Sequence, residues 1–400
     1  MKKNTSNLWT KNFLGVSFTS FFLFLTFYLL MVTLPIYVID DMHVTQSQIG
    51  LVVTVFIISA VIVRPFSGIL LEAIGRKKML LLSLLIFFIA SVLYFFGHSF
   101  GWLLAIRFFH GIGFGIATTA TGAIVANIIP EDRMGEGMGY YATFMNLAMV
   151  IGPFLGLTII HSFSFQVLFI FCGIFSLISF ICALFVNIPQ NVNKINNIGF
   201  KLGDLFEKKS IPISIVTGLL AFGYSGVLSY MSVYAKGLNL VQASSFFFVV
   251  YAVFLLASRP FTGKWFDQYG ENKVIYPAIL LFGIGTFILS YTGNAITLLI
   301  SGALIGVGYG TMTSGFQTIA INSVEANRRS MATATYFTFM DSGVGLGSFV
   351  LGIVAATSGY RNLYLYTSIL IIFGLGLYYL LHGRMKSKSE QITRESEIQA

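Results

Sequence analysis

Residues 64–78 read RPFSGILLEAIGRKK, and residues 259–273 read RPFTGKWFDQYGENK. The second stretch follows the first at an offset of 195 residues, which keeps Arg-Pro-Phe, two glycines, an acidic residue and a lysine in register. Further matches at this offset are Gly111 with Gly306, Gly113 with Gly308, Gly115 with Gly310, Arg133 with Arg328, and Thr143-Phe144-Met145 with Thr338-Phe339-Met340. So many matches at one offset predict a duplicated structure.

The amino-acid composition excludes a single hydrophobic core in water. Of the 400 residues, 56% are hydrophobic and only 10% are charged, whereas soluble domains carry about 25% charged residues. The apolar residues form blocks of about 20 or more, each long enough to cross a bilayer core of about 30 Å as a helix. An all-α integral membrane fold is therefore predicted. The two cysteines, Cys172 and Cys182, give no metal-ligand spacing, so neither a metal nor a cofactor is expected.

The apolar windows predict twelve transmembrane helices in two pseudo-symmetric six-helix bundles. The predicted spans lie near residues 13–39, 49–71, 79–97, 101–126, 136–160, 165–187, 211–234, 244–266, 274–293, 296–323, 331–357 and 361–383. The first bundle covers residues 1–187 and the second 211–383, with a cytoplasmic linker at 188–210 and a cytoplasmic tail at 384–400. Because six spans separate the two copies, both halves have the same orientation in the membrane.

The distribution of the basic residues predicts the topology. The net charge is +9, and 19 of the 24 Lys and Arg fall on one predicted side, against Lys236 and Arg361 on the other. Such asymmetry places the Lys- and Arg-rich side in the cytoplasm. We therefore predict a multi-pass protein of the cell membrane with both termini in the cytoplasm. The net basic charge then reflects orientation, and no nucleic-acid partner is expected.

The segment from Gly68 through Glu72 and Gly75 to Arg76 resembles a signature of the major facilitator superfamily, Gly-x-Leu-Ala-Asp-Arg-x-Gly-Arg-Lys, between the second and third helices. Its degenerate copy keeps the acid as Asp267. The resemblance covers essentially the whole chain and implies a transporter with this loop as a gate. Glycine allows close helix approach, and the cations hold the loop inside. The alternative is that the basic residues only fix the topology.

Two further stretches resemble signatures of the same family. Arg107-Phe-Phe-His110-Gly111 is similar to Arg-x-x-Gln-Gly of the fourth helix, with His110 in place of Gln. The segment with Gly152 and Pro153 is similar to the Gly- and Pro-rich fifth helix of many proton-driven exporters. That likeness favours export, although small residues in a spanning helix also serve ordinary close packing.

Asp341 is the acidic residue that the predicted spans place near the membrane midplane, about 15 Å into the eleventh helix at 1.5 Å per residue. A carboxylate there costs several kcal/mol unless it is protonated part of the time, paired, or facing a wet cavity. Its counterpart at the repeat offset is Asn146. We predict that Asp341 takes part in proton coupling; the alternative is a carboxyl group hydrogen-bonded between helices.

Arg107 lies inside the fourth predicted span, and its repeat counterpart is Gly302. A buried guanidinium implies a partner, and the resemblance points to an acid of the first helix, with Asp40 or Asp41 nearest. Protonation of that acid could unlock an outer gate, whereas a static salt bridge would only hold the fold. His110, one turn from Arg107, could join proton coupling, although a lone histidine in a helix is more often structural.

Aromatic, methionine and amide side chains near mid-span are candidates for a permissive central pocket, because Met is flexible and Tyr amphipathic. They are Tyr28, Met31, Met145, Asn146, Tyr224, Tyr251, Tyr309, Gln317 and Phe337, together with Asp341. The alternative for any one aromatic residue is a lipid-facing or core position.

The leading functional hypothesis is a proton-coupled antiporter that exports small amphiphilic compounds by rocking of the two halves. Its partners would be the substrate, protons and the lipid bilayer, and it would work as a monomer. The alternative within the same fold is an importer that carries a sugar or a small organic ion with a proton. A membrane enzyme is disfavoured because the sequence has no HExxH, GxSxG, Walker A or CxxC pattern. A channel is disfavoured by the twofold repeat and the isolated charges.

Overall fold

The computed structural model describes residues 7–42, 46–96, 99–187 and 205–384. Within these ranges all regular structure is helical. The helices are α1 Lys11–Asp40, α2 Gln46–Ile74, α3 Arg76–Leu93, α4 Phe100–Ile128, α5 Met134–Ser162, α6 Phe165–Leu184, α7 Ile211–Gly237, α8 Val241–Tyr269, α9 Glu271–Ser290, α10 Ala295–Asn322 and α11 Arg329–Tyr378. In the described part of the chain, eleven helices are long and apolar enough to cross a membrane. The predicted all-α, multi-pass membrane fold is confirmed.

Short helical turns join or extend several of these helices. Three-residue 3-10 turns cover Tyr94–Phe96, Glu131–Arg133 and Ala326–Arg328, and a π-helical turn covers Tyr379–Gly383. The last long helix, α11, contains Gly359 in a non-helical conformation with φ 79°. Glycine adopts a positive φ without the Cβ clash that other residues suffer. Gly359 lies between the predicted eleventh and twelfth spans and interrupts the helix there.

The chain divides into two compact units. The first comprises Met1–Glu207 and Val324–Thr338, and the second comprises Lys208–Ser323 and Phe339–Ala400. The beginning of α11 thus belongs to the first unit, although it lies in the second half of the sequence. Most of the predicted linker, residues 188–204, and the tail beyond residue 384 lie outside the described residues. The division into bundles at 1–187 and 211–383 remains a prediction.

Helices at equivalent positions pair in the same way within each unit. In the first unit α4 packs against α1, α2 and α3, and in the second α10 packs against α7, α8 and α9. The N-caps also recur at the repeat offset. Ser99 caps α4 by accepting a hydrogen bond from the Trp102 amide, and Asn294 caps α10 by accepting one from the Thr297 amide. Such caps satisfy otherwise unpaired amides of the first turn.

The glycines that revealed the repeat are sites of close helix approach. A Cβ atom on Gly113 would lie 2.9 Å from the Phe87 amide nitrogen, and one on Gly308 would lie 2.5 Å from the Phe282 nitrogen. These neighbours are themselves 195 residues apart. Because both members of each contact recur at one offset, the duplication predicted from the sequence extends to the packing of α3 against α4 and of α9 against α10.

The turn after α2 and the turn after α8 repeat as well. Gly75 has φ 105° and Gly270 has φ 87°, and each ends one long helix and begins the next. A side chain at either position would be strained, because only glycine visits this region freely. The glycine at the predicted gate is therefore required by the backbone of the turn itself.

Replacing Gly308 by alanine is expected to lower the free energy of unfolding by about 1–3 kcal/mol, the usual cost of overpacking. The matched control is Gly345→Ala in α11, because a Cβ atom there meets no other atom within 4 Å and alanine is the better helix former. Thermal unfolding of the detergent-purified variants provides the comparison. Equal midpoints for the two variants would contradict the close approach of α9 and α10.

Candidate functional site

Three of the predicted binding tyrosines lie together in the second unit. The rings of Tyr224 and Tyr309 stack with centroids 3.7 Å apart and an interplanar angle of 9°. The Tyr251 ring lies 6.2 Å from Tyr224, and the Phe282 ring lies 5.4 Å from Tyr309. All four side chains are buried. We call these four residues the tyrosine cluster. It combines apolar ring faces with phenolic hydroxyls, which suits amphiphilic ligands.

The first unit contains a corresponding group made of phenylalanine. Phe56, Phe87 and Phe114 occupy the positions 195 residues before Tyr251, Phe282 and Tyr309. The Phe56 and Phe114 rings lie 5.3 Å apart, and Phe87 lies 6.4 Å from Phe114. The equivalent clusters therefore differ in polarity. Only the tyrosines were predicted from the sequence, although the repeat offset relates all six positions.

The other predicted pocket residues are divided between the two units. Gln317 is buried, and its amide nitrogen has no hydrogen-bond partner among the described residues. Asp341 is half-buried in α11, as are Tyr28 and Met31 in α1 and Met145 and Asn146 in α5. Phe337 belongs to the first unit, where its ring faces the guanidinium of the buried Arg64 at 4.8 Å. Within the second unit, α10 and α11 thus carry Tyr309, Gln317 and Asp341.

Two buried arginines were not predicted from the sequence as site residues. Arg64 donates to the Thr118 hydroxyl at 2.9 Å. Arg259, its repeat counterpart, donates to the Ser314 hydroxyl and, at 3.0 Å, to the Gly310 carbonyl. A guanidinium inside an apolar bundle needs such partners. The signal was present in the sequence, because both arginines begin the repeated Arg-Pro-Phe stretches.

Arg107 has different partners from those predicted. Its side chain is fully buried; Nε donates to the Val52 carbonyl at 2.8 Å, Nη1 donates to the Tyr94 hydroxyl at 3.5 Å, and the guanidinium lies 4.2 Å from the Phe56 ring centroid. Among the described residues no carboxylate pairs with it, and Nη2 has no partner.

The structure describes the side chain of only one of the two predicted acids. Asp41 is exposed at the end of α1, and the side chain of Asp40 lies outside the described residues. The prediction of an ion pair between Arg107 and Asp41 is corrected accordingly. A carbonyl oxygen, a hydroxyl and an aromatic face supply the electron density that a carboxylate was expected to give.

His110 makes two hydrogen bonds in the interior of the first unit. Its Nδ1 lies 3.0 Å from the Tyr94 hydroxyl and its Nε2 lies 3.3 Å from the Ser91 hydroxyl. The Phe87 ring packs on the imidazole at 4.1 Å. Both ring nitrogens are therefore engaged, which is the arrangement expected of a structural histidine.

The predicted gate residues of the first unit hold the end of α2 against the beginning of α11. Arg76 donates to Glu72 at 2.8 Å, to the Ser330 hydroxyl at 3.0 Å and to the Ala326 carbonyl at 2.8 Å. A Cβ atom on Gly68 would lie 2.9 Å from the Met331 Cα. Arg76 and Glu72 are both buried. The signature loop therefore does more than carry positive charge, because its arginine bonds to a segment some 250 residues away.

The remaining predicted gate residues have separate surroundings. Asp267 is exposed near the end of α8. Gly152 brings α5 close to α1, because a Cβ atom there would lie 2.8 Å from the Tyr28 Cβ. Pro153 follows it inside α5. No group of three or more His, Cys, Asp or Glu side chains in the described part of the chain could hold a metal ion.

The sequence profile of the Major Facilitator Superfamily matches residues 16–270 and 241–399, which together span nearly the whole chain. The chain belongs to the Major Facilitator Superfamily. The resemblance predicted from the loop after α2 is thereby confirmed, and the chain is a multi-pass membrane transporter. Members of this superfamily move small molecules across membranes.

The curated relatives of this superfamily member are distant but cover most of its length. An uncharacterized MFS-type transporter MJ1560 of Methanocaldococcus jannaschii is 24% identical over 387 residues, covering 93% of this chain and 96% of the relative. The quinolone resistance protein NorA of Staphylococcus aureus (strain MRSA252) is 23% identical over 350 residues, covering 84% and 87%. Both relatives support the superfamily assignment along most of the chain.

Two solved structures share the fold. The human organic anion transporter MFSD10 (TETRAN) aligns with a TM-score of 0.79, and the transporter FucP in the outward conformation aligns with a TM-score of 0.72. Each is 16% identical in sequence and covers 92% of this chain and 98% of its own. At this identity the likeness establishes the fold alone.

Proposed function

We propose that this superfamily member is a proton-coupled antiporter of the cell membrane that exports small amphiphilic compounds by alternating access, as a monomer with both termini in the cytoplasm. The observation that carries the proposal is the buried tyrosine cluster, in the same unit as the half-buried carboxylate of Asp341. Ring faces and hydroxyls suit an amphiphilic substrate. A titratable carboxylate in the span suits proton coupling.

We propose that the chain crosses the membrane twelve times, in the halves 1–187 and 211–383. Helix α11 has 50 residues, which at 1.5 Å per residue is about 75 Å, more than twice the bilayer core. The interruption at Gly359 then divides α11 into the eleventh and twelfth spans. An even number of spans agrees with the basic residues concentrated on one predicted side.

In this proposal Arg107 and Asp341 form the coupling machinery, and Asp40, whose side chain lies outside the described residues, is the candidate carboxylate that pairs with Arg107. Gly68, Glu72, Gly75 and Arg76, with Asp267, Gly152 and Pro153, form the gates. Support for the gate at α2 comes from the Arg76 hydrogen bonds to Ser330 and Ala326. Such bonds must break and re-form if α11 moves against α2 in each cycle.

The names of the relatives suggest which compounds to test first. The Staphylococcus aureus relatives are called quinolone resistance proteins, and one structural neighbour is called an organic anion transporter. A panel of a fluorescent quinolone, a permanently charged aromatic dye, an organic anion and a sugar therefore covers the proposed substrate class and its rivals. Uptake is compared in inverted vesicles and in right-side-out cells with an imposed pH gradient. Proton-driven uptake into inverted vesicles supports export, whereas uptake into cells supports the import alternative.

Shortening Tyr309 to alanine is expected to raise the apparent KM for the transported aromatic compound about tenfold, because stacked aromatic pairs contribute about 0.5–1.5 kcal/mol beyond area burial. Tyr309→Phe keeps the ring and should change KM less than about threefold. A matched control is Tyr364→Phe, which alters a buried tyrosine of the second unit whose hydroxyl bonds to the Gly226 carbonyl. Wild-type KM for Tyr309→Ala would exclude the tyrosine cluster as the binding site.

A further inference from the structure

A chain of hydrogen bonds leads from Arg107 through three buried side chains of the first unit. Its links are Arg107 Nη1 to Tyr94 Oη at 3.5 Å, Tyr94 Oη to His110 Nδ1 at 3.0 Å, His110 Nε2 to Ser91 Oγ at 3.3 Å, and Ser91 Oγ to the Phe87 carbonyl at 2.9 Å. The side chains of Arg107 and His110 are 0% exposed, as is that of Ser91, and Tyr94 is 1% exposed. Helices α3 and α4 supply the chain together with the turn after α3.

The proton positions in this chain follow from its two ends. A guanidinium has only donors, so the Tyr94 oxygen accepts from Arg107 and the Tyr94 proton points to His110 Nδ1. Because Nδ1 accepts, the neutral imidazole carries its proton on Nε2 and donates it to Ser91. Ser91 in turn donates to the Phe87 carbonyl. The opposite tautomer would leave the Tyr94 proton without an acceptor among the described residues.

The orientation of these hydrogen bonds favours the positive charge of Arg107. Each group presents its negative end toward the guanidinium, and successive hydrogen bonds in a buried site polarise one another. On its other sides Arg107 is held by the Val52 carbonyl and the Phe56 ring. We propose that Tyr94 and His110 are positioning residues that hold Arg107 through the neutral Nε2–H form of the imidazole. The inference rests on the proposed coupling role of Arg107.

The same geometry explains which residue can replace His110. Glutamine offers one carbonyl acceptor and one amide donor, so it can accept from Tyr94 and donate to Ser91 as the neutral imidazole does. Glutamine is also the residue of the signature that Arg107-Phe-Phe-His110-Gly111 resembles. Leucine has a similar size but offers neither group. His110→Gln should therefore preserve the chain, and His110→Leu should break it.

Nitrogen-15 NMR of the full-length, histidine-labelled protein in detergent tests the proton assignment without any transport. The five histidines give a spectrum in which the signals absent from His110→Gln belong to His110. We expect a neutral ring with its proton on Nε2, and Tyr94→Phe should shift the Nδ1 signal. Tyr141→Phe is the matched control, because this buried hydroxyl bonds to Ser20 and Thr121 instead. A proton on Nδ1, or on both nitrogens, would overturn the inference.

Transport in proteoliposomes with an acidic lumen tests the positioning role, with a fluorescent quinolone as the probe. Tyr94→Phe and His110→Leu should each lower the initial rate of proton-driven uptake at least about tenfold, the effect expected for a lost hydrogen bond to a charged network. Probe exchange without a gradient should persist in both. His110→Gln and Tyr141→Phe should stay within about twofold of wild type.

The outcomes separate this inference from the proposed function. If Arg107→Ala abolishes accumulation while Tyr94→Phe and His110→Leu keep the wild-type initial rate of uptake, the positioning role is wrong and the coupling role stands. If Arg107→Ala accumulates the probe like wild type, the coupling role fails, and the positioning role with it. The NMR assignment can survive that second result. If His110→Leu fails to fold, Tyr94→Phe tests the positioning role. His110→Gln is then the variant at this position that should still transport like wild type.

Discussion

Asp341→Asn is expected to abolish proton-driven accumulation of substrate in proteoliposomes while leaving substrate exchange without a gradient intact. Asparagine has the shape of the carboxyl group but cannot bind and release a proton. With one proton exchanged per substrate, a gradient of one pH unit supports about tenfold accumulation, because one unit corresponds to about 1.36 kcal/mol. The variant should reach only the ratio set by simple equilibration, close to one.

The control for this experiment is Glu325→Gln. Glu325 is an exposed carboxylate in the loop before α11, so the variant removes one carboxylate charge without touching the span. It should accumulate substrate like wild type. Wild-type accumulation by Asp341→Asn would refute the coupling role of Asp341 while leaving the fold untouched. Loss of both accumulation and exchange would instead place Asp341 in substrate binding.

Arg76→Ala is expected to reduce the transport rate at least tenfold and to destabilise the protein. The substitution removes the hydrogen bonds to Ser330 and the Ala326 carbonyl, and it leaves the buried carboxylate of Glu72 without its partner. Removing one partner of a buried ion pair costs about 3–5 kcal/mol. Because the bonds form only when the beginning of α11 lies against α2, their loss also shifts the population away from this arrangement.

Two measurements separate the gate from simple unfolding. Lys78→Ala, two residues further along α3 at an exposed position, should leave transport and thermal stability unchanged. A cysteine at Met331, which is 7% exposed beside Gly68, should be alkylated faster in the Arg76→Ala protein, with labelling of the half-buried Cys182 subtracted as background. Unchanged alkylation together with slow transport would mean that Arg76 does not hold this contact closed.

The repeat could be predicted from the sequence because steric constraints leave a trace in residue identity. At Gly113 and Gly308 a neighbouring backbone leaves no room for a Cβ atom, and at Gly75 and Gly270 the turn needs a positive φ. Only glycine meets either demand. The matching residues at one offset therefore indicate close contacts in the three-dimensional structure.

The surroundings of Arg107 could not be predicted in the same way. Its partners are a main-chain carbonyl, a phenol and an aromatic face, and none of these is distinctive in a chain with 19 Tyr and 41 Phe. A carboxylate was the natural expectation, because it is the commonest partner of a buried cation. Tyr94 gains its importance from helix packing, which brings it to both Arg107 and His110.

The grouping of residues 324–338 with the first unit could not be predicted from the sequence either. The periodicity of an apolar helix marks a span, but it does not say which neighbours the end of that span will contact. Here the hydrogen bonds of Arg76 and the close approach at Gly68 determine the neighbour. Such contacts are a property of one conformation and can change during a transport cycle.

The central claim, exchange of protons for substrate, is tested most directly by recording luminal pH in proteoliposomes that start with equal pH on both sides and no membrane potential. Adding the transported compound outside should make the lumen more alkaline, because each entering molecule is exchanged for a departing proton. Asp341→Asn should abolish the signal. A lumen that turns acidic, or one that stays unchanged while the compound enters, would contradict antiport.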